Sequence, residues 1–256
     1  MLFDLISDLH ISSFKKSDFP NLIPTANTLA VLGDVCEVDQ LKQVKSFFKY
    51  VDSLWDNVLY VLGNHEFYNG YLDNTVSRFK DQLQSISSVI VMDNDVVSID
   101  GIRYICSTLW SDMDKNDPMT VMACRDLISD YHCIKTTDGR KINPSNTIDL
   151  FNANASFIKT MLEISESDDV NVVLTHHAPS YLSVSPKFKG NLCNGAFVSD
   201  LSDLILDNPS IKVWAHGHTH HTVDYMIGDC RVIANPCGYV NELYKKQDYR
   251  PIKVDI

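Results

Sequence analysis

The sequence has little positive charge. Its 256 residues include 22 Lys and Arg against 33 Asp and Glu, which gives a formal net charge of -11. Proteins that follow a nucleic-acid backbone or an anionic membrane surface need Lys and Arg to neutralise phosphates, so we expect no extended nucleic-acid groove and no membrane partner. A small phosphorylated ligand remains compatible with this charge, because bound metal ions can supply positive charge locally.

Paired cysteines and long apolar runs are also lacking, and we expect no leader segment. The seven cysteines are scattered without a Cys-x-x-Cys pair, which predicts reduced thiols and disfavours a structural zinc domain with Cys-rich ligation. No apolar run approaches the ~18 residues of a membrane span, and Asp4 and Asp8 stand where a signal peptide would be basic and then apolar. We expect a cytoplasmic protein with a single α/β domain over residues 1–256.

Histidine, in contrast, is concentrated in one place. The stretch Trp214–His221 contains four of the nine histidines and directly follows an apolar run. Crowded neutral imidazoles must each find a hydrogen-bond partner or a cation. The stretch alone fits either a metal site or an exposed polar turn after a strand.

Residues that can bind a metal also follow other predicted strands. Ligands of open α/β sheets bind beyond the carboxyl ends of the strands, so side chains at several strand ends are expected to converge. Each of these residues, considered alone, also has a structural explanation. Asp34, for example, also fits the N-cap of the helix predicted around 40–55. The strands are predicted at 1–7, 28–32, 57–62, 170–174 and 211–215, and they end in Asp8 and His10, Asp34, Asn64 and His65, His176 and His177, and His218 and His220.

The remaining elements are predicted from periodicity and turn chemistry. Asp100-Gly101 and Gly228-Asp229 each predict a hairpin turn between short apolar strands. The polar stretch from about 109 to 145 reads as largely irregular and is expected to form a cap or active-site loop region. Further helices are predicted at 72–86, 147–165 and 196–206, and a further strand at 89–92.

In their order along the chain, these motifs resemble those of the calcineurin-like metallophosphoesterases. The resemblance spans nearly the whole chain and implies a four-layer α/β/β/α sandwich of two mixed sheets flanked by helices, with a dinuclear metal centre. The motifs that carry it are Asp8-x-His10, Gly33-Asp34, Gly63-Asn64-His65-Glu66, Thr175-His176 and Gly217-His218-x-His220.

The resemblance also implies a role for each of these residues. One metal would be held by Asp8, His10 and His220. The other would be held by Asn64, His176 and His218. Asp34 would bridge the two metals, and His65 would be a catalytic histidine beside them. His177 is the alternative to His176, which we prefer because it directly follows Thr175, as in many family members.

The implied activity is phosphoester hydrolysis by a hydroxide that bridges the two metals, with Asp34 and His65 as catalytic residues. Mixed nitrogen and oxygen ligation suits divalent or trivalent Mn, Fe, Zn, Ni or Co almost equally. The phosphoprotein phosphatases of the family carry an arginine after the Gly-Asp motif, and residues 33–39 lack one. This difference favours a small phosphomonoester or phosphodiester, such as a cyclic nucleotide or a nucleotide-like substrate.

Two alternatives stay open at this point. One is a phosphoprotein phosphatase, and the other is a non-catalytic metal-binding interaction module of the same fold. Such modules typically lose the histidine found here as His65, so its presence favours an enzyme. The sequence does not predict an oligomeric state.

Overall fold

The computed structural model describes residues 2–11, 19–166, 168–239 and 248–256, which form two mixed sheets. The strands of the first sheet are β1 (Leu2–Ile6), β2 (Thr28–Leu32), β3 (Asn57–Val61), β4 (Val89–Met92) and β11 (Ile252–Asp255). Those of the second are β5 (Asp95–Ile99), β6 (Ile102–Ser107), β7 (Val170–Thr175), β8 (Ile211–His216), β9 (Val223–Ile227) and β10 (Cys230–Ala234). The strand orders are β11-β1-β2-β3-β4 and β5-β6-β7-β8-β10-β9.

The two sheets pack face to face over an apolar core. Alternate residues of β1, such as Phe3 and Leu5, meet alternate residues of β7, such as Val172 and Leu174. Helices α1 (Leu41–Asp52) and α2 (Thr75–Leu83) contact the first sheet, while α6 (Pro144–Glu163) and α7 (Ser202–Leu206) contact the second. With both faces of each sheet covered, the central strands are almost continuously apolar. The predicted four-layer sandwich is therefore confirmed.

The expectation of a largely irregular segment after residue 109 was wrong. It contains a short turn α3 (Met113–Asn116) and the helices α4 (Pro118–Leu127) and α5 (Asp130–Cys133). Helix α4 is started by Pro118 in its first turn and by the Asp117 side chain, which accepts a hydrogen bond from the Thr120 amide. These short helices have too few turns to show a clear apolar period in the sequence.

Other boundaries differ for local reasons. The Asn143 side chain caps α6, so this helix begins at Pro144 rather than at 147. Only Ser202–Leu206 of the helix predicted at 196–206 is α-helical, because the preceding residues form a 3-10 turn, Leu192–Ala196. The short strand β11 was not predicted; it pairs antiparallel with β1. None of the helices in the described ranges combines the length and apolar character needed to cross a membrane.

Candidate metal centre

The carboxyl ends of β1, β2 and β3 in the first sheet meet those of β7 and β8 in the second, and every predicted site residue lies at this edge. Two groups of side chains each bring their potential ligand atoms within 4.8 Å of one another. Asp34 belongs to both groups. The first group is Asp8, His10, Asp34 and His220, and the second is Asp34, His176 and His218.

In the first group, imidazole nitrogens and carboxylate oxygens face a common point. His10 Nε2 lies 3.0 Å from His220 Nε2 and 3.8 Å from Asp34 Oδ2. His220 Nε2 lies 3.5 Å from Asp8 Oδ1. Two ring nitrogens at this separation share a hydrogen bond when one of them carries a proton. When both rings are neutral and protonated on Nδ1, both Nε2 lone pairs can be donated to a metal ion.

In the second group, His176 Nε2 lies 3.0 Å from Asn64 Oδ1, 3.2 Å from His218 Nδ1 and 3.3 Å from Asp34 Oδ1. The other ring nitrogen of His176 is 2.8 Å from the Leu32 carbonyl oxygen. A proton on Nδ1 donated to that carbonyl leaves Nε2 of the neutral ring free to bind a cation. His177 lies outside both groups, with Nδ1 3.2 Å from the Thr108 carbonyl oxygen.

The backbone at these strand ends is strained. Left-handed φ values are costly for residues other than glycine and are concentrated at functional sites. Gly63 and Gly217 allow the loops to pack tightly, because an added Cβ would lie 2.6 Å from His176 Cε1 and 2.7 Å from the Leu32 carbonyl oxygen, respectively. The candidate ligands with positive φ are Asp8 (55°), His10 (40°), Asp34 (55°), His218 (67°) and His220 (47°).

The electrostatics of the site fit bound cations. Asp8 and Asp34 are only 0% and 1% exposed, and within the described ranges their ion-pair partners are histidines, never Lys or Arg. Burial raises the pKa of Asp8. Burial also opposes ionisation of Asp34, but the neighbouring imidazoles, His176 foremost, hold its pKa well below the usual range. Buried carboxylates beside imidazole and amide donors form a mixed set that suits transition metals.

Glu66 joins two of the loops that carry the candidate ligands. Its carboxylate accepts hydrogen bonds from the backbone amides of Asp34 (2.9 Å), Val35 (2.7 Å) and Gly63 (2.7 Å) and from the Tyr60 hydroxyl (2.7 Å). Because these donors occupy its oxygens, Glu66 positions the loops and belongs to neither ligand group.

Asp130 is a site residue that sequence reasoning missed. Its Oδ1 accepts hydrogen bonds from Asn64 Nδ2 at 2.8 Å and from the Tyr68 hydroxyl at 2.7 Å. The first bond turns Asn64 Oδ1 toward His176 Nε2. The only available signal was the position of Asp130 within the segment expected to lie over a pocket.

A cavity of about 320 Å³ opens onto these residues, and His65 lies in its wall. The His65 side chain is 17% exposed, with Nε2 3.9 Å from Asp34 Oδ2 and 3.2 Å from the Tyr239 hydroxyl. Its ring stacks on Tyr68 with the centroids 4.2 Å apart. This places an imidazole beside the candidate ligands in the wall of the cavity.

The family model described as calcineurin-like phosphoesterase matches residues 1–222. The chain belongs to this family. It is also similar to a protein of Acanthamoeba polyphaga mimivirus, named uncharacterized protein L509, with 31% identity over 240 residues that cover 89% of this chain and 84% of that protein. The resemblance drawn from the five motifs is thus confirmed.

Two solved structures share the fold. The phosphopantetheinyl hydrolase of Mycobacterium tuberculosis superposes with a TM-score of 0.72 at 15% identity, over 98% of this chain and 95% of that chain. GAP50, described as the anchor in the inner membrane complex of Plasmodium, superposes with a TM-score of 0.51 at 13% identity, over 93% and 71%. Since one is named a hydrolase and the other an anchor, the fold alone does not separate an enzyme from an interaction module.

Proposed function

We propose that the chain is a dinuclear metal-dependent phosphohydrolase that acts on a small phosphomonoester or phosphodiester. The proposal rests on the position of Asp34, because its carboxylate belongs to both groups of potential ligands at one edge of the sandwich. A carboxylate is able to bridge two cations about 3.5 to 4 Å apart. The proposed ligands are Asp8, His10 and His220 for one ion, Asn64, His176 and His218 for the other, and Asp34 for both.

Bound ions would neutralise the phosphate and activate the attacking water. The chain itself holds and orients the groups around them. Asp130 fixes the amide of Asn64, and Glu66 fixes the loops before Asp34 and Asn64. His65 lies in the cavity wall, where its imidazole can donate to the phosphoryl oxygens or protonate the departing alkoxide. Mn, Fe, Zn, Ni and Co are all compatible with the donor set.

A phosphohydrolase for small substrates is favoured over the two alternatives, a phosphoprotein phosphatase and a non-catalytic interaction module. The cavity at the centre is of a size for a small ligand, about 320 Å³. A phosphoprotein phosphatase of this family would carry an arginine after Asp34, where this chain has Val35, Cys36 and Glu37. A non-catalytic module does not need an imidazole beside the candidate ligands in the cavity wall, where His65 lies.

The test is turnover of a mono-aryl and a bis-aryl phosphate by the purified protein with Mn, and then with each of the other four metals. We expect Asp34→Asn to lower kcat at least about 10³-fold, equivalent to ~4 kcal/mol. His65→Gln should lower kcat about 10²-fold while metal binding is retained. Absence of turnover with all five metals, or full activity of Asp34→Asn, would contradict the mechanism. A screen of natural phosphoesters then identifies the substrate.

A further inference from the structure

A second cavity adjoins the candidate metal centre. Its volume is about 240 Å³, and it shares part of its wall with the cavity that contains His65. Ile128, Phe188, Phe197 and Thr219 line both cavities. The second cavity, which we call the side pocket, therefore lies directly beside the cavity at the candidate metal centre.

The side pocket is uncharged over the residues that the structure describes. Its wall combines apolar side chains, Ile128, Val184, Phe188, Cys193 and Phe197, with a few neutral polar ones, Ser185, Asn191, Asn194 and Thr219. Small-molecule sites commonly have this composition, in which apolar surface supplies the affinity and a few polar groups supply orientation. In the described walls, no Lys or Arg is available to pair with a second phosphate or a carboxylate.

The aromatic walls of the side pocket are held in place. The Phe197 ring stacks on the candidate ligand His218, with centroids 4.7 Å apart and planes at 25°. The Phe188 carbonyl oxygen accepts a hydrogen bond from Asn194 Nδ2 at 2.8 Å. The Phe188 side chain is nevertheless 46% exposed, so an apolar ligand would remove a large aromatic surface from water.

Thr219 marks the junction between the two cavities. It lies between His218 and His220, and its Oγ1 is buried without a hydrogen-bond partner among the described residues. An unpaired buried hydroxyl is unfavourable. A rotation of the Thr219 side chain toward the cavities that it lines would let this hydroxyl pair with a polar ligand atom at the junction, such as the ester oxygen between phosphate and leaving group.

We propose that the side pocket binds the leaving group of the substrate, and that this group is an alcohol carrying an uncharged aromatic ring. The inference rests on the proposed phosphohydrolase function and narrows its substrate class. A leaving group with its own phosphate or carboxylate is disfavoured, because it would lose hydration in the side pocket without gaining a cationic partner from the described residues of its wall. The ammonium of Lys187 packs over the Phe188 ring at 4.7 Å but lines neither cavity.

The experiment compares Phe188→Ala with Leu182→Ala in the Mn-loaded protein. Leu182 is a matched control, since it is an exposed apolar residue of the same segment that lines neither cavity. Three monoesters serve as probes: 1-naphthyl phosphate, a carboxylated naphthyl phosphate and glycerol phosphate. We expect Phe188→Ala to raise KM for naphthyl phosphate about tenfold and to change that for glycerol phosphate less than twofold. Leu182→Ala should change neither.

A second readout does not depend on cleavage of a naphthyl ester. Free 1-naphthol should inhibit glycerol phosphate hydrolysis competitively in the wild type, and about tenfold more weakly in Phe188→Ala. Equal effects of Phe188→Ala on both esters, no inhibition by naphthol, or equal wild-type KM values for the plain and carboxylated naphthyl esters would overturn the side-pocket assignment. Failure of the wild type to cleave these monoesters and a bis-aryl phosphate with any of the five metals would instead overturn the phosphohydrolase function on which the assignment rests.

Discussion

Asp4 and Asp34 are both buried carboxylates of the first sheet, yet their surroundings differ in kind. Asp4 lies within β1 and accepts hydrogen bonds from the Thr25 amide and hydroxyl, the Ala26 amide and the Trp55 indole. All of these donors are neutral, and none of them titrates near neutral pH. The hydrogen bonds that a buried carboxylate needs are therefore supplied to Asp4 by neutral groups, without a cation.

Asp34 has one backbone donor, the His65 amide at 3.0 Å, and otherwise faces the imidazoles of His10, His65 and His176. When no metal is bound, the negative charge of Asp34 stabilises a proton on the His176 imidazole. It raises the pKa of His176 to about 10, although burial acts in the opposite direction. A metal ion would replace the proton. The donors around a buried carboxylate, rather than its burial, therefore separate a structural carboxylate from a candidate for a functional one.

The largest expected difference between the two carboxylates concerns metal-dependent stability. Mn at about 1,000 times its Kd should stabilise the fold by ~4 kcal/mol for each bound ion, and each such step is roughly 10 °C in Tm for a chain of this size. Asp34→Asn should lose most of this shift and Asp4→Asn should keep it. Asn tolerates left-handed backbone, so the change at Asp34 (φ 55°) isolates the charge. Thermal scans with Mn and with a chelator measure the effect, and a full shift in Asp34→Asn would contradict it.

The second prediction concerns the stability of the metal-free protein, for which Asp4 should matter more than Asp34. Asp4→Asn should lower the free energy of unfolding by ~3 kcal/mol, because an amide group cannot accept all the hydrogen bonds that the carboxylate accepts. Metal affinity and kcat should remain those of the wild type. Urea denaturation of the metal-free protein gives the stability, and titration with Mn gives the affinity. A loss of Mn affinity with unchanged stability would show that the two carboxylates do not differ as described.

The same contrast explains what could be predicted from the sequence. Asp34 was predictable because it directly follows an apolar strand and a glycine, and because other strand ends repeat that arrangement with histidines. Asp4 gave no such signal: its donors lie at Thr25, Ala26 and Trp55, which only the folded chain brings to it. The side pocket was invisible for the same reason, since its wall joins Ile128 to residues 184–197 through tertiary packing.

Asp130 combines features of both carboxylates. Like Asp4 it accepts hydrogen bonds from neutral donors, the Asn64 amide and the Tyr68 hydroxyl, and burial raises its pKa. Like Asp34 it lies at the candidate metal centre, where it accepts a hydrogen bond from the proposed ligand Asn64. Residues that orient a metal ligand typically change metal affinity 10- to 100-fold. We therefore expect the smallest effect of the series here, about a tenfold loss of Mn affinity in Asp130→Ala, measured by titration calorimetry.

Tyr68→Phe is the matched control for this last prediction. It removes the second donor to Asp130 but keeps the ring that stacks on His65 and the bond between Asn64 and Asp130. If Asp130 acts by holding the Asn64 amide, Tyr68→Phe should lower Mn affinity less than about threefold. An equal loss in both variants would mean that packing in this corner of the site, rather than the orientation of Asn64, sets the affinity. Asp130 would then belong with Asp4 as a structural carboxylate.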